Sequence, residues 1–215
     1  DFIREALREN EERHRKVEQR QRVFRIEGLE VESRVKLKTI VKLQSEIAED
    51  VVNSPVDEVA VGLADSVKQT NALVERAMTL AERRGDLVNY LRKTDDRAIE
   101  SRIESLRTQV ASEDDALRRS ELEMALASKE KELADYKAIE QAAARVLTEL
   151  DSLECSFASL KAKLVRIRSR DIAEWTSANR ELTADLHALR SHVDVVEKSS
   201  NEALSVGMDP EASSG

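Results

Sequence analysis

The sequence predicts an all-α fold, an elongated antiparallel coiled-coil hairpin with a four-helix bundle base, and three observations carry that reading. Two heptad runs of nearly equal length flank residues 111–115. The first places apolar or small residues at Val56, Ala60, Leu63, Val67, Val74, Ala77, Ala81, Val88 and Leu91, with Thr70 and Arg84 in the gaps; the return run places Leu122, Leu126, Leu133, Tyr136, Ala143, Leu147, Leu150, Phe157, Leu160, Leu164 and Ile167, with a slip near Leu150 and Leu153. Composition is the second: 36% charged and 3% aromatic residues, with five Gly and two Pro in 215, give few turn formers and few bulky core fillers, while 40% hydrophobic residues at helical spacing argue against disorder. The third is a set of helix-start signals at Ser54-Pro55, at Ser112 with Asp115, and at Ser169 with Asp171.

Residues 1–52 read as the first helix. From Arg8 to Arg22 its only sizeable apolar side chain is Val17, so residues 1–22 are expected to form a solvated helical extension. From Val23 the pattern fills in through Phe24, Leu29, Val31, Val35, Leu37, Ile40, Val41, Leu43, Ile47 and Val51, which opens the bundle domain assigned to 23–204. Gly28 costs about 1 kcal/mol relative to Ala, which so long a helix is expected to tolerate. A second helix spans 55–92, and Lys93-Thr94-Asp95-Asp96 breaks or kinks it before Ile99, Ile103, Leu106 and Val110 resume the seam over 95–111. The return helix covers 114–168, and a last helix over 170–204 turns Trp175, Leu182, Leu186, Leu189, Val193 and Val196 inward. The tail at 205–215, with Gly207, Pro210 and a Ser-Ser-Gly end, is expected to be disordered.

The net charge of −8 arises from 43 acidic and 35 basic residues in an interleaved pattern, which favours paired charges on solvated helix faces and argues against nucleic acid as a partner. No apolar run reaches the roughly 18 to 20 residues that cross a bilayer. The first residue is Asp rather than Met, so the chain reads as a piece of a longer one, with any anchor or catalytic domain lying outside it. His14, His187 and His192 do not have metal-ligand spacing, and no phosphate loop, nucleophile elbow or His-Glu-x-x-His motif occurs. Cys155, the single cysteine, is expected to be a small buried hydrophobe beside the seam. No cofactor, metal, catalytic residue or small-molecule substrate is assigned.

Two charged features are candidate contact sites. Glu113, Asp114 and Asp115 make an acidic tip suited to a basic partner. Lys161, Lys163, Arg166, Arg168 and Arg170 form a stretch with no acidic residue between Glu154 and Asp171, suited to an anionic partner or membrane surface, with pairing to acidic residues of a neighbouring helix as the competing reading. The segment from Phe157 through Leu160, Leu164, Val165, Ile167 and Ser169 to Asp171, followed by an amphipathic helix, resembles a segment recurring in bacterial all-helical cytoplasmic proteins of uncharacterised activity, and the stretch from Tyr90 to Tyr136 is loosely similar to the same group. The resemblance covers the second half of the chain, and the chain departs from the pattern in lacking a Pro after Ser169. It implies a bacterial cytoplasmic origin and transfers no functional residues.

The function expected from these features is a non-enzymatic coiled-coil scaffold or protein–protein interaction module. It is expected to self-associate as a homodimer through the first helix, because Leu73, Leu80 and Leu87 widen the apolar face beyond a two-helix seam. The alternatives are a peripheral protein at the inner membrane and the coiled-coil arm of a larger ATPase or other enzyme.

Overall fold

A computed structural model describes residues 21–52, 57–168 and 172–207, all of them helical apart from short breaks. Among these residues lie helix α1 over 21–27, then α2 (Val31–Val52), α3 (Asp57–Lys93), α4 (Asp96–Ser112), α5 (Ala116–Arg168) and α6 (Ile172–Gly207), with no strand. The start signals expected at Ser54 and Ser169, nearly all of the extension assigned to 1–22, and the tail beyond Gly207 lie outside the described residues. Helix α6 runs through Gly207, three residues past the expected end at 204.

The first helix is not continuous. Leu29 N–H bonds the Ile26 carbonyl, a tightened turn, and the Glu30 carboxylate then accepts the N–H groups of Glu32 and Ser33 at 3.2 and 3.3 Å, so a new helix starts after Glu30. Gly28 does not adopt a positive φ, so the break comes from recapping at Glu30 and not from a left-handed glycine. Glu27 ties the break together, lying 2.6 Å from Lys38 Nζ and 3.5 Å from Arg34 Nη1 on the far side of it. The break expected near Asp95 is present: Thr94 N–H returns to Tyr90 and Leu91 carbonyls, and Asp95 caps α4 by accepting from Ala98 N–H at 3.1 Å.

At the expected tip only 113–115 leave the helix. The cap there is Asp115, whose Oδ1 accepts Leu117 N–H at 2.8 Å and Arg118 N–H at 3.3 Å. Ser112, expected to cap α5, instead ends α4 with its hydroxyl donated to the Thr108 carbonyl. A carboxylate accepts two orphan amides at a positive helix end more strongly than a hydroxyl does, which is why Asp115 takes the position.

The chain divides into two compact units, one made of the described residues up to Glu82 with Leu150–Val193, the other of Arg83–Glu149 with the residues from Asp194 on. In the first unit α2 buries Ser33, Leu37, Ile40, Gln44, Ile47 and Val51, an alternating four-three spacing that fixes its inward face. Val31 and Val35 fall on the opposite side and are exposed, as is Phe24. The core draws on four helices: Ile47 and Val51 of α2, Thr70 of α3, Leu160 and Leu164 of α5 and Leu186 of α6 line one void of only about 10 Å³. Lys36 pairs with Asp151, and Glu46, ten residues on, pairs with Lys161, also ten residues on, so α2 and α5 run in the same direction.

In the second unit Leu87, Ile139, Ala142 and Ala143 form the core, with Val88, Tyr90, Leu91 and Ala203 packed against it. Arg84, one of the two gaps in the predicted seam, is buried and donates Nε–H to the Ala143 carbonyl at 3.2 Å. Arg83 Nη1 lies 3.1 Å from Glu197, and Arg145 donates to Ser199 Oγ at 3.2 Å, tying α6 to α3 and α5. Along α4 and α5 the ion pairs run in opposite directions: Glu100 with Lys137 at 3.9 Å, and Arg107, seven residues on, with Glu130, seven residues back, at 2.8 Å.

Candidate functional site

The basic stretch of α5 is arranged by the helix period. Leu160 and Leu164 face inward, which leaves Lys161 and Lys163 on the two flanks of the buried stripe, each beside a neighbouring helix. Lys161 Nζ pairs with Glu46 of α2 and Lys163 Nζ with Asp185 of α6. The Lys161 ammonium, by hydrogen bonding and then by charge, holds the Glu46 carboxyl below its usual range. Arg166 is exposed on the helix; the Arg168 side chain and all of Arg170 lie outside what is described. The stretch is therefore not one cationic face, since two of its charges serve as ties between helices.

At the tip, Asp115 is occupied in capping α5, and the Glu113 side chain accepts the Asp115 N–H at 3.2 Å. The Glu113 carbonyl in turn receives the Arg119 guanidinium. Glu113 and Asp115 thus fold the turn; Asp114 is exposed. The acidic cluster has a structural use, which the helix-start pattern in the sequence signals.

Cys155 corrects its expectation: it is exposed. The inward face of α5 passes through Leu153 and Phe157, both fully buried, and a residue midway between them points away from that face. His187 and His192 are exposed on α6, and among the described residues no group of three or more His, Cys, Asp or Glu is placed to hold a metal. No helix among the described residues is long and apolar enough to cross a membrane.

A groove of about 790 Å³ lies between α4 and α5. Ile103, Leu133 and Ala134 lie along it, and Arg97, Glu100, Glu104, Arg107, Glu130 and Lys137 form its charged edges. The Glu130 carboxylate, by hydrogen bonding, raises the Arg107 guanidinium further above its usual range. Tyr136 of α5 is pushed up, first by burial and then by the negative charges of Asp96, Glu140 and Asp95. The sequence reading missed this groove, because a seam pattern records what two helices bury against each other and not what their flanks leave open. No family model, curated protein or solved structure matches this chain.

Proposed function

We propose that the chain is a non-enzymatic interaction module that self-associates or spaces protein partners, built on an antiparallel coiled-coil hairpin with four-helix packing at its base. The observation that carries this reading is the exposure of large apolar side chains on otherwise charged helices: Phe24 at 82%, Leu117 at 74%, Met124 at 66%, Val35 at 60% and Val31 at 59%. Scattered apolar residues are ordinary on a surface; their spacing along helix faces, Val31 with Val35 and Leu117 with Met124, suits helix-on-helix contact. The opposed ion pairs of α4 and α5, and Tyr90 packed on the cluster that holds Ile139, support the hairpin. Spin labels at Tyr90 and Tyr136 are expected within roughly 10 Å plus their linkers; a separation of several helix diameters refutes the hairpin. Sedimentation equilibrium is expected to show a dimer at micromolar concentration, and monomer alone at high micromolar concentration refutes self-association. Contact of the Lys161–Arg170 stretch with an anionic surface is a lesser proposal, weakened by the engagement of Lys161 and Lys163 with Glu46 and Asp185.

A further inference from the structure

We infer that the groove between α4 and α5 receives the same groove of a second copy, with the twofold axis along the helices, so that each α4 lies against the partner's α5. The inference deepens the self-association reading and rests on it. Three observations in the second unit converge. The groove is open, and on its α5 side the lining residue Ala134 is exposed and small, with exposed Ala127 and Ala138 seven residues before and four after it on the same helix, which lets another helix approach closely. Over 116–138 no residue of α5 is buried, so this part of the helix is covered on one flank at most.

The third observation is charge, and it selects both the occupant and its direction. The two ion pairs of α4 with α5 set the levels: Glu100 opposite Lys137 and Arg107 opposite Glu130. By the same register Arg97 stands level with Glu140 and Glu104 with Leu133. Along α4 the edge therefore reads positive, negative, negative, positive, and along α5 it reads negative, positive, neutral, negative. With the twofold axis along the helices, each α4 meets the partner's α5 at these same levels, opposite charges meet at three of the four with Glu104 opposite neutral Leu133, and each intrachain pair extends into a four-charge network. With the axis across the helices, α4 meets α4 in reverse, Arg97 meets Arg107, and Glu100 meets Glu104. That arrangement sets like charges together and is disfavoured.

The test uses the full chain. Ala134→Arg and Ser101→Arg each place a bulky cation at an exposed groove position, where helicity by circular dichroism is expected to be unchanged; Asn89→Arg, exposed and outside the groove lining, is the control. By sedimentation equilibrium both groove variants are expected to weaken the dimer about tenfold or more, with the control unchanged. A dimer that resists both groove variants overturns the groove as the interface and leaves self-association standing. A monomeric wild type overturns both. Direction is read from one spin label at Ser112 in a Cys155→Ser background: with the axis along the helices the two labels lie within about 25 Å. The crossed arrangement pivots ten residues away and separates them by roughly 30 Å along the helices alone, and that longer distance overturns the proposed direction.

Discussion

Helix α5 is one uninterrupted helix with two kinds of surroundings. From Ala116 to Ala138 it has no buried residue; from Ile139 to Leu164 a residue is buried at nearly every turn, and Val146, Leu150, Leu153 and Phe157 are fully enclosed. The first part lies beside α4, which buries Ile99, Ile103 and Leu106, and its own ion pairs are exposed, Arg107 with Glu130 and Lys137 with Glu100. The second is packed by residues of α2, α3 and α6 and carries its ion pairs in addition. Exposed pairs contribute little, with a median of about 0 to 1 kcal/mol, so helical continuity does not make stability uniform along α5. The contrast teaches that helix length here is set by local propensity and caps, whereas stability is set by the number of neighbours.

The largest effects are expected where that contrast is sharpest. Phe157→Ala empties a fully enclosed site and is expected to cost about 3 to 5 kcal/mol, measured by urea denaturation, because transfer and cavity terms add. Leu133→Ala, in the half-buried part of the same helix, is expected to cost about 1 kcal/mol, since solvent and mobile neighbours fill much of the space. Equal losses at the two positions would erase the comparison.

Next in size is Asp115→Ala, which removes the acceptor for two amides at the start of α5 and is expected to cost about 1 kcal/mol. If the two parts of α5 open independently, hydrogen exchange accelerates over the first turns and is unchanged around Val146 to Phe157. A uniform acceleration along the helix would mean that α5 opens as a single unit.

How much of this was legible in the sequence follows from what a heptad pattern can record. The element order from α3 on, the break at Asp95 and the break at 113–115 were legible, because caps and seam residues are local, whereas the break in the first helix was not. Val74, Ala77 and Ala81, and Leu150, Phe157 and Leu160, lie buried where the seams put them. The two gaps in the first seam proved to be buried polar groups, with Thr70 turned onto the Val67 carbonyl at 2.8 Å and Arg84 onto α5. A polar side chain at a seam position specifies register at some cost in stability. The outward Val31 and Val35 and the inward Ser33 were not legible, because α2 carries apolar residues on both faces and hydropathy alone cannot choose between them. Nor were the pairs of Lys161 and Lys163, since which carboxylate a lysine meets depends on the register of a distant helix.

A smaller effect, of opposite sign, is expected on α3. Gly85 lies in the middle of that helix beside buried Arg84, and a Cβ added there meets nothing within 4 Å. Gly85→Ala is therefore expected to stabilise by roughly 0.5 to 1 kcal/mol, through the lower backbone entropy of the unfolded chain. A higher urea midpoint with an unchanged slope is the expected reading. Destabilisation would show that the helix uses the glycine for a close approach that the structure does not contain.

Acid gives the smallest effect and separates the two kinds of tie, because it removes charge while leaving apolar contacts in place. Glu46 is held below its ordinary value of 4.5 first by its hydrogen bond with Lys161, and Glu27 likewise by Lys38 and then Arg34. A carboxyl whose value is lowered on folding contributes stability that is fully present above the unfolded value and is lost as pH falls through the folded one. The difference in Tm between the wild type and Glu46→Gln is therefore expected to be small and constant above about pH 5 and to vanish towards about pH 3. Salt is expected to reduce it at neutral pH, since the pair is exposed enough to be screened within about 10 Å at 0.1 M. Phe157→Ala should show no such dependence, because its loss is one of packing. If the Glu46→Gln difference persists unchanged at about pH 3, the tie between α2 and α5 at that level is not ionic, and the contribution of Glu46 must be sought in its packing.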